Sequence, residues 1–276
     1  MKSTRREIER RAESRRGEGW GMEFEPLIRV HEISSLGRVH RFVCTKFDGR
    51  QFNLFSDAEL AAFLYYWWQP DTVEIYDQVK CKRDATIDIA KRLGIRHPEV
   101  TRGCPSILST DLLAVSDVGG RYTERAVSVK RYGSPLRDMD RINLLLQKTY
   151  HEECGREWRF SENIGLNSNW ASNLRWLFPY ADRADRDEFT VGEIAAEDAV
   201  LTELLGGGHR TAFEACHQAS RRFNLRPGAA AGAFRMLLAS RVIVTDINAP
   251  SLLRLPPLAF HCCRRADTLN FVSPMG

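Results

Sequence analysis

Three polar residues stand out by type and setting: Glu59 in Ser-Asp-Ala-Glu-Leu, Asp111 in Leu-Ser-Thr-Asp-Leu-Leu, and Lys130 closing Ala-Val-Ser-Val-Lys. An acid opening a helix, an acid in one strand and a lysine in the next match the needs of metal-dependent phosphodiester cleavage. That chemistry takes two carboxylate ligands and one cation facing the phosphate. The set points to an endonuclease acting on DNA.

The elements that must position these residues can be read from punctuation. Ser56 can cap a helix whose apolar stripe is Leu60, Phe63, Leu64 and Trp67, with Glu59 three residues past the cap. Residues 107–115 and 125–131 read as a hairpin turning around Gly119-Gly120. With the turn centred between the glycines, Asp111 falls opposite Ser128. Lys130 is then its diagonal neighbour on the same face, about 7–8 Å away. Asp111, Ser128 and Lys130 therefore converge, and the Val129 carbonyl is available as a further oxygen ligand. The competing reading of Asp111 and Lys130 is a surface ion pair of little energetic weight. For Glu59 it is a capping box that uses the carboxylate locally.

Around this set, residues 27–41 read as short strands, with a turn at Ser35 to Gly37, and residues 73–81 as a strand. Residues 84–94 read as a short helix or loop, 136–154 as a long amphipathic helix, 157–161 as a strand and 169–177 as a helix. Helices and strands alternate, as in an α/β domain with a mixed sheet. A charged stretch at 182–188 marks the expected boundary. The domain expectations are a basic arm over 1–16, a catalytic domain over 17–183 and a small, mainly helical domain over 184–276. In the last, helices at 191–205, 211–223 and 228–240 precede strands at 242–246 and 252–255, the order of a winged helix.

The 276 residues carry a net charge of +4, and residues 1–16 alone hold seven Lys/Arg against three Glu. The arm can gain phosphate affinity by counterion release, or simply be a solvated, partly helical segment. The longest apolar run, residues 60–68, is short of the roughly 18 residues that suggest a membrane span, and the N-terminus is charged rather than apolar. A bacterial cytoplasmic protein is expected. Seven scattered cysteines without a C-x-x-C pair suggest reduced thiols. His209, His217, His261, Cys262 and Cys263 show no familiar zinc spacing.

The ordered set Gly37-Arg-x-His40, residues 54–63, Asp77-Gln78, Arg96-His97-Pro98, Ser109-Thr-Asp-Leu112 and residues 127–130 resembles the TnsA family of transposon endonucleases. The resemblance is dense from about residue 17 to 178 and weaker beyond. It implies a restriction-endonuclease-like, PD-(D/E)xK catalytic domain followed by a winged-helix-like domain. The implied active site comprises Glu59, Asp111, Ser128 and Lys130, with Gln147 as a polar support residue from the long helix. Mg²⁺, replaceable by Mn²⁺, would be held by Glu59, Asp111 and the Val129 carbonyl in a two-metal hydrolysis. Family members carry Gln or an acid where this chain has Ser128, whose shorter, neutral side chain would act through water or leave the contact to Val129.

The implied partners are DNA at transposon ends, a DDE-type transposase (TnsB-like) that cuts the other strand, and an AAA+ ATPase regulator (TnsC-like). The chain would cut the strand whose 5′ end lies at the transposon boundary. The alternatives are a restriction or repair nuclease that cuts alone, and a non-catalytic assembly subunit. In the second domain, residues 228–240 hold the recognition-helix position but carry Arg235 as their only charge. A base-reading helix normally offers several polar side chains, so this one reads as buried or protein-facing, and Arg221, Arg222 and Arg226 as solvated or phosphate-facing.

Overall fold

The basic N-terminal segment is a docked helix, α1 (Arg5–Glu13), with Ile8 buried. Its carbonyl end is held by the buried Lys80 ammonium, which donates to the carbonyls of Ala12 (3.3 Å) and Ser14 (2.5 Å) and pairs with Glu18 at 2.7 Å. A cation at a helix C-terminus satisfies orphan carbonyls and complements the dipole. Arg83 pairs with Glu9, and Arg16 grips Glu32 with both terminal nitrogens. The arm thus belongs to the first of two units, Met1–Gly165 and Leu166–Gly276. The computed structural model describes residues 5–32, 37–163, 165–184 and 190–263.

The expected strands over 27–41 are mostly replaced by a 3₁₀ turn at Val30–Glu32. The Glu32 carboxylate accepts the Arg29 amide at 2.9 Å as well as the Arg16 fork, which closes that turn locally. The turn expected at Ser35 lies outside the described residues. A short antiparallel ribbon follows, β1 (His40–Cys44) and β2 (Arg50–Leu54), then α2 (Asp57–Trp68). Ser56 caps α2 by accepting the Glu59 amide. The stripe foreseen on α2 is buried, and so are Ala61, Ala62 and Tyr66. Phe63 packs in an aromatic cluster with Phe42, Phe47 and Phe52, with centroids 4.7–6.3 Å apart.

The main sheet is built from β3 (Thr72–Cys81), β6 (Leu108–Val118), β7 (Arg121–Arg131) and β8 (Glu157–Asn163), in spatial order β3-β6-β7-β8. Between β3 and β6 lie α3 (Arg83–Arg92) and a small ribbon, β4 (Glu99–Thr101) and β5 (Cys104–Pro105). The first three strands of the sheet are antiparallel, whereas β8 runs parallel to β7. That parallel step needs a crossover, supplied by α4 (Asp138–Glu153). Gly119 and Gly120 both have positive φ, as a two-residue hairpin turn demands. The resulting ladder runs from Val118↔Arg121 to Leu112↔Val127. Continued by one step, this register sets Asp111 against Ser128.

The second unit contains α5 (Asn169–Ala184), α6 (Val191–Gly206), α7 (Ala212–Arg222), α8 (Ala229–Ala239) and a two-stranded ribbon of β9 (Ile243–Val244) with β10 (His261–Cys262). The helix beginning at Asn169 groups with this unit, and the division falls at residue 165 rather than 183. Helix α5 also continues through Pro179, because residues on either side of the proline pack on α8: the Arg235 guanidinium lies 4.1 Å from the Trp176 ring centroid and 5.0 Å from that of Tyr180. Residues 252–255, expected as a strand, contain a 3₁₀ turn at Leu252–Arg254. Pro256 and Pro257 follow directly and cannot donate to a ladder, so pairing resumes only at His261. The charged stretch expected as a linker falls mainly on residues outside those described. Among the described residues, no helix is long and apolar enough to cross a membrane.

Candidate active site

The first turn of α2, the facing ends of β6 and β7, the loop after β7 and one side of α4 enclose a cleft of about 520 Å³. Glu59, Asp111, Ser128, Val129, Lys130 and Gln147 all line it, together with Asp140. The structure therefore gathers in one place every residue singled out for chemistry from the sequence.

Glu59 is buried. Its carboxylate accepts the Phe55 amide at 2.8 Å and the Ser56 hydroxyl at 3.0 Å. The carboxylate thus bonds the residue before the cap as well as the cap hydroxyl, and still borders the cleft. The capping and inward-facing readings describe one side chain doing both. Burial first, then the charge of Asp111, pushes the Glu59 carboxyl up to about 8. Asp111 accepts the Val129 amide at 2.6 Å. Burial raises it to about 6, against the hydrogen bond from Val129, the charge of Lys130 and a hydrogen bond from Gln78. Two carboxyls raised by burial in one cleft form a site whose negative charge Lys130 offsets only in part.

Lys130 extends into the cleft with 40% of its side chain exposed and lies 3.7 Å from Asp140. Burial tends to raise Asp140, but hydrogen bonds from Arg137 and the charges of Lys130 and Arg137 hold it below the usual carboxylate range. Asp140 is also the N-terminal cap acid of α4, accepting the Arg137 amide. It was not singled out from the sequence. The pattern Arg137-x-x-Asp140 at a helix start could have shown the cap, but not its reach to Lys130.

Ser128 and Gln147 are engaged with each other. The Ser128 hydroxyl donates to Gln147 Oε1 at 2.6 Å and accepts the Trp158 indole N–H at 3.3 Å. Thr110 also donates to Gln147 Oε1, at 3.3 Å, and bonds His151 Nε2 at 2.7 Å. Burial and the Arg156 charge push the His151 imidazole down to about 3, so it stays neutral. With two hydroxyls on its oxygen, Gln147 is braced at the cleft by Ser128 and Thr110.

The donor set suits a hard divalent cation. Two carboxylates and a backbone carbonyl are oxygen ligands of the kind Mg²⁺ and Mn²⁺ take, and a cation would offset the burial that raises Glu59 and the repulsion from Asp111 that adds to it.

Two comparisons with known proteins bear on this chain. Residues 166–247 match the family described as "TnsA endonuclease C terminal". Over 242 residues the chain is 29% identical to the "Transposon Tn7 transposition protein TnsA" of Escherichia coli, covering 87% of this chain and 86% of that protein.

Proposed function

As a member of the TnsA family, this chain is, we propose, the metal-dependent DNA endonuclease subunit of a transposition complex. The observation that carries the reading is the convergence of Glu59, Asp111, Val129 and Lys130 on one cleft. The order α2-β3-β6-β7-α4-β8 supports a restriction-endonuclease-like first domain. The three helices and short ribbon after α5 support a winged-helix-like second one.

In this reading Glu59, Asp111 and the Val129 carbonyl hold Mg²⁺, replaceable by Mn²⁺. When bound, the metal polarises the phosphoryl oxygens and lowers the pKa of water. The chain's own residues do the rest. Lys130 meets a phosphate oxygen and offsets the charge that builds up as the bond to the 3′ oxygen breaks. Asp140 tethers Lys130 so that its ammonium stays over the cleft. Gln147, braced by Ser128 and Thr110, offers its amide hydrogens to the same phosphate. Water is the nucleophile, and no side chain becomes covalently attached.

By the family resemblance, the strand cut is the one whose 5′ end lies at the transposon boundary. A DDE-type transposase cuts the other strand, and an AAA+ ATPase regulator docks on the complex. The buried, alanine-rich face of α8 and the stacking of Arg235 on Trp176 and Tyr180 leave that helix few groups for base reading. Recognition of the transposon ends then belongs to a partner chain.

The test is strand cleavage at transposon ends by the full chain together with its transposase. Asp111→Ala and Lys130→Ala should abolish the 5′-strand cut while partner binding and melting temperature persist. Unchanged cleavage in both variants would sink the nuclease reading.

A further inference from the structure

Gln78 sits within β3 with φ at +51°, in the left-handed region that a non-glycine side chain rarely adopts. It is 4% exposed, and it is skipped in the ladder with β6, which pairs Asp77↔Leu112 and then Val79↔Thr110. Gln78 nevertheless stays opposite Asp111, because the register with β6 is the same on both sides of the kink. Its carbonyl accepts the Leu27 amide at 3.0 Å, which fixes the turned backbone.

The side chain emerging from this kink is a bracket. Gln78 Oε1 accepts the Ser109 hydroxyl at 3.1 Å, which leaves the amide nitrogen to face Asp111, its neighbour across the ladder with β6, whose carboxyl it helps to hold down. Asp111 is therefore flanked on both sides, hydrogen-bonded by the Val129 amide on β7 and faced by Gln78 across the ladder with β3. Gln78 does not line the cleft itself. A left-handed glutamine costs backbone energy that glycine would avoid. Such outliers persist where the surrounding structure fixes them, and they cluster at functional sites.

We propose that Gln78 is a positioning residue that fixes the Asp111 carboxylate in the orientation that binds the divalent cation. The proposal rests on the metal-site reading above. The kinked backbone lets a carboxamide steadied by Ser109 reach a ligand from outside the cleft. Partners of this kind, behind a ligating carboxylate, are typically worth about 10–100-fold in metal affinity.

Two variants separate this role from a packing role. Gln78→Gly keeps the kink and relieves its strain. Gln78→Asn tolerates left-handed φ but is one methylene too short to span from Ser109 to Asp111. Mn²⁺ affinity of the full chain would be measured by calorimetry, alongside thermal unfolding without metal, with wild type and Asp111→Ala as references. The expected result is a roughly 10–100-fold loss of Mn²⁺ affinity in both variants, with Gln78→Gly melting no lower than wild type. Wild-type affinity in either folded variant overturns the proposal, as does an affinity that falls only in step with melting temperature. If wild type itself binds no Mn²⁺, the metal-site reading fails and this inference with it. A normal wild-type isotherm beside unchanged variants sinks the inference alone.

Discussion

The Asp111 carboxylate accepts the Val129 backbone amide at 2.6 Å, just beyond the last ladder pair, Leu112↔Val127. In an extended strand a residue's N–H and C=O point to the same side, so the Val129 carbonyl is aimed toward β6 as well. One side chain thus closes the splayed end of the hairpin and brings a carboxylate and a carbonyl oxygen to the same side of the cleft.

Ser128 has both hydrogen-bonding directions occupied, by Gln147 and Trp158. Ser128→Ala should therefore cost stability, about 1–3 kcal/mol for the buried groups left unpaired, while Mn²⁺ affinity changes little. Chemical denaturation and calorimetry on the same variant check both parts. A loss of metal with no loss of stability would make Ser128 a ligand instead.

Asp77 is fully buried. It accepts the Asn53 amide at 2.8 Å through one carboxylate oxygen, and the other has no partner. Burial pushes its carboxyl up to about 7, against the hydrogen bonds at Asn53 and the charge of Arg50. With the folded value above the unfolded one of about 3.9, its contribution is full below pH 4 and is lost as pH rises toward 7. Asp77→Asn keeps the bond to Asn53 without the charge. It should stabilise the metal-free protein at pH 8, on the order of 1–3 kcal/mol, and have little effect at pH 4. A variant equally affected at both pH values would contradict this.

Phe63 ties α2, and with it Glu59, to the aromatic cluster of Phe42, Phe47 and Phe52. Phe63→Ala should cost about 3–5 kcal/mol of stability, read by urea unfolding. Cleavage per folded molecule should fall too, because the cap turn that presents Glu59 loses its anchor.

Arg235 is spent on Trp176 and Tyr180. Arg235→Ala should lower the melting temperature of the second unit while leaving both DNA affinity and its salt dependence unchanged. A slope of log affinity against log salt reduced by about one would instead assign Arg235 to a phosphate.

Much of the site was legible because it depends on local rules. Ser56 announces its helix, and Gly119-Gly120 fix the hairpin register, so arithmetic alone sets Asp111 opposite Ser128. Gln78 and Asp140 were not legible. The first acts through a left-handed kink in a strand, which nothing in Val-Glu-Ile-Tyr-Asp-Gln-Val signals. The second acts through a loop that returns α4 to Lys130. Helix α5 was cut short at Leu177 because Pro179 is a strong local stop, overridden by packing on α8. The strand expected at 252–255 followed an apolar run whose pairing the two prolines prevent.

The central claim is that Glu59, Asp111 and the Val129 carbonyl hold a divalent cation beside Lys130. Anomalous diffraction from crystals grown with Mn²⁺, wild type against Asp111→Ala, tests it most directly. The account predicts a peak between the two carboxylates and the carbonyl that vanishes in the variant. No peak in the wild type, even with DNA bound, would contradict it and leave the chain as an assembly subunit.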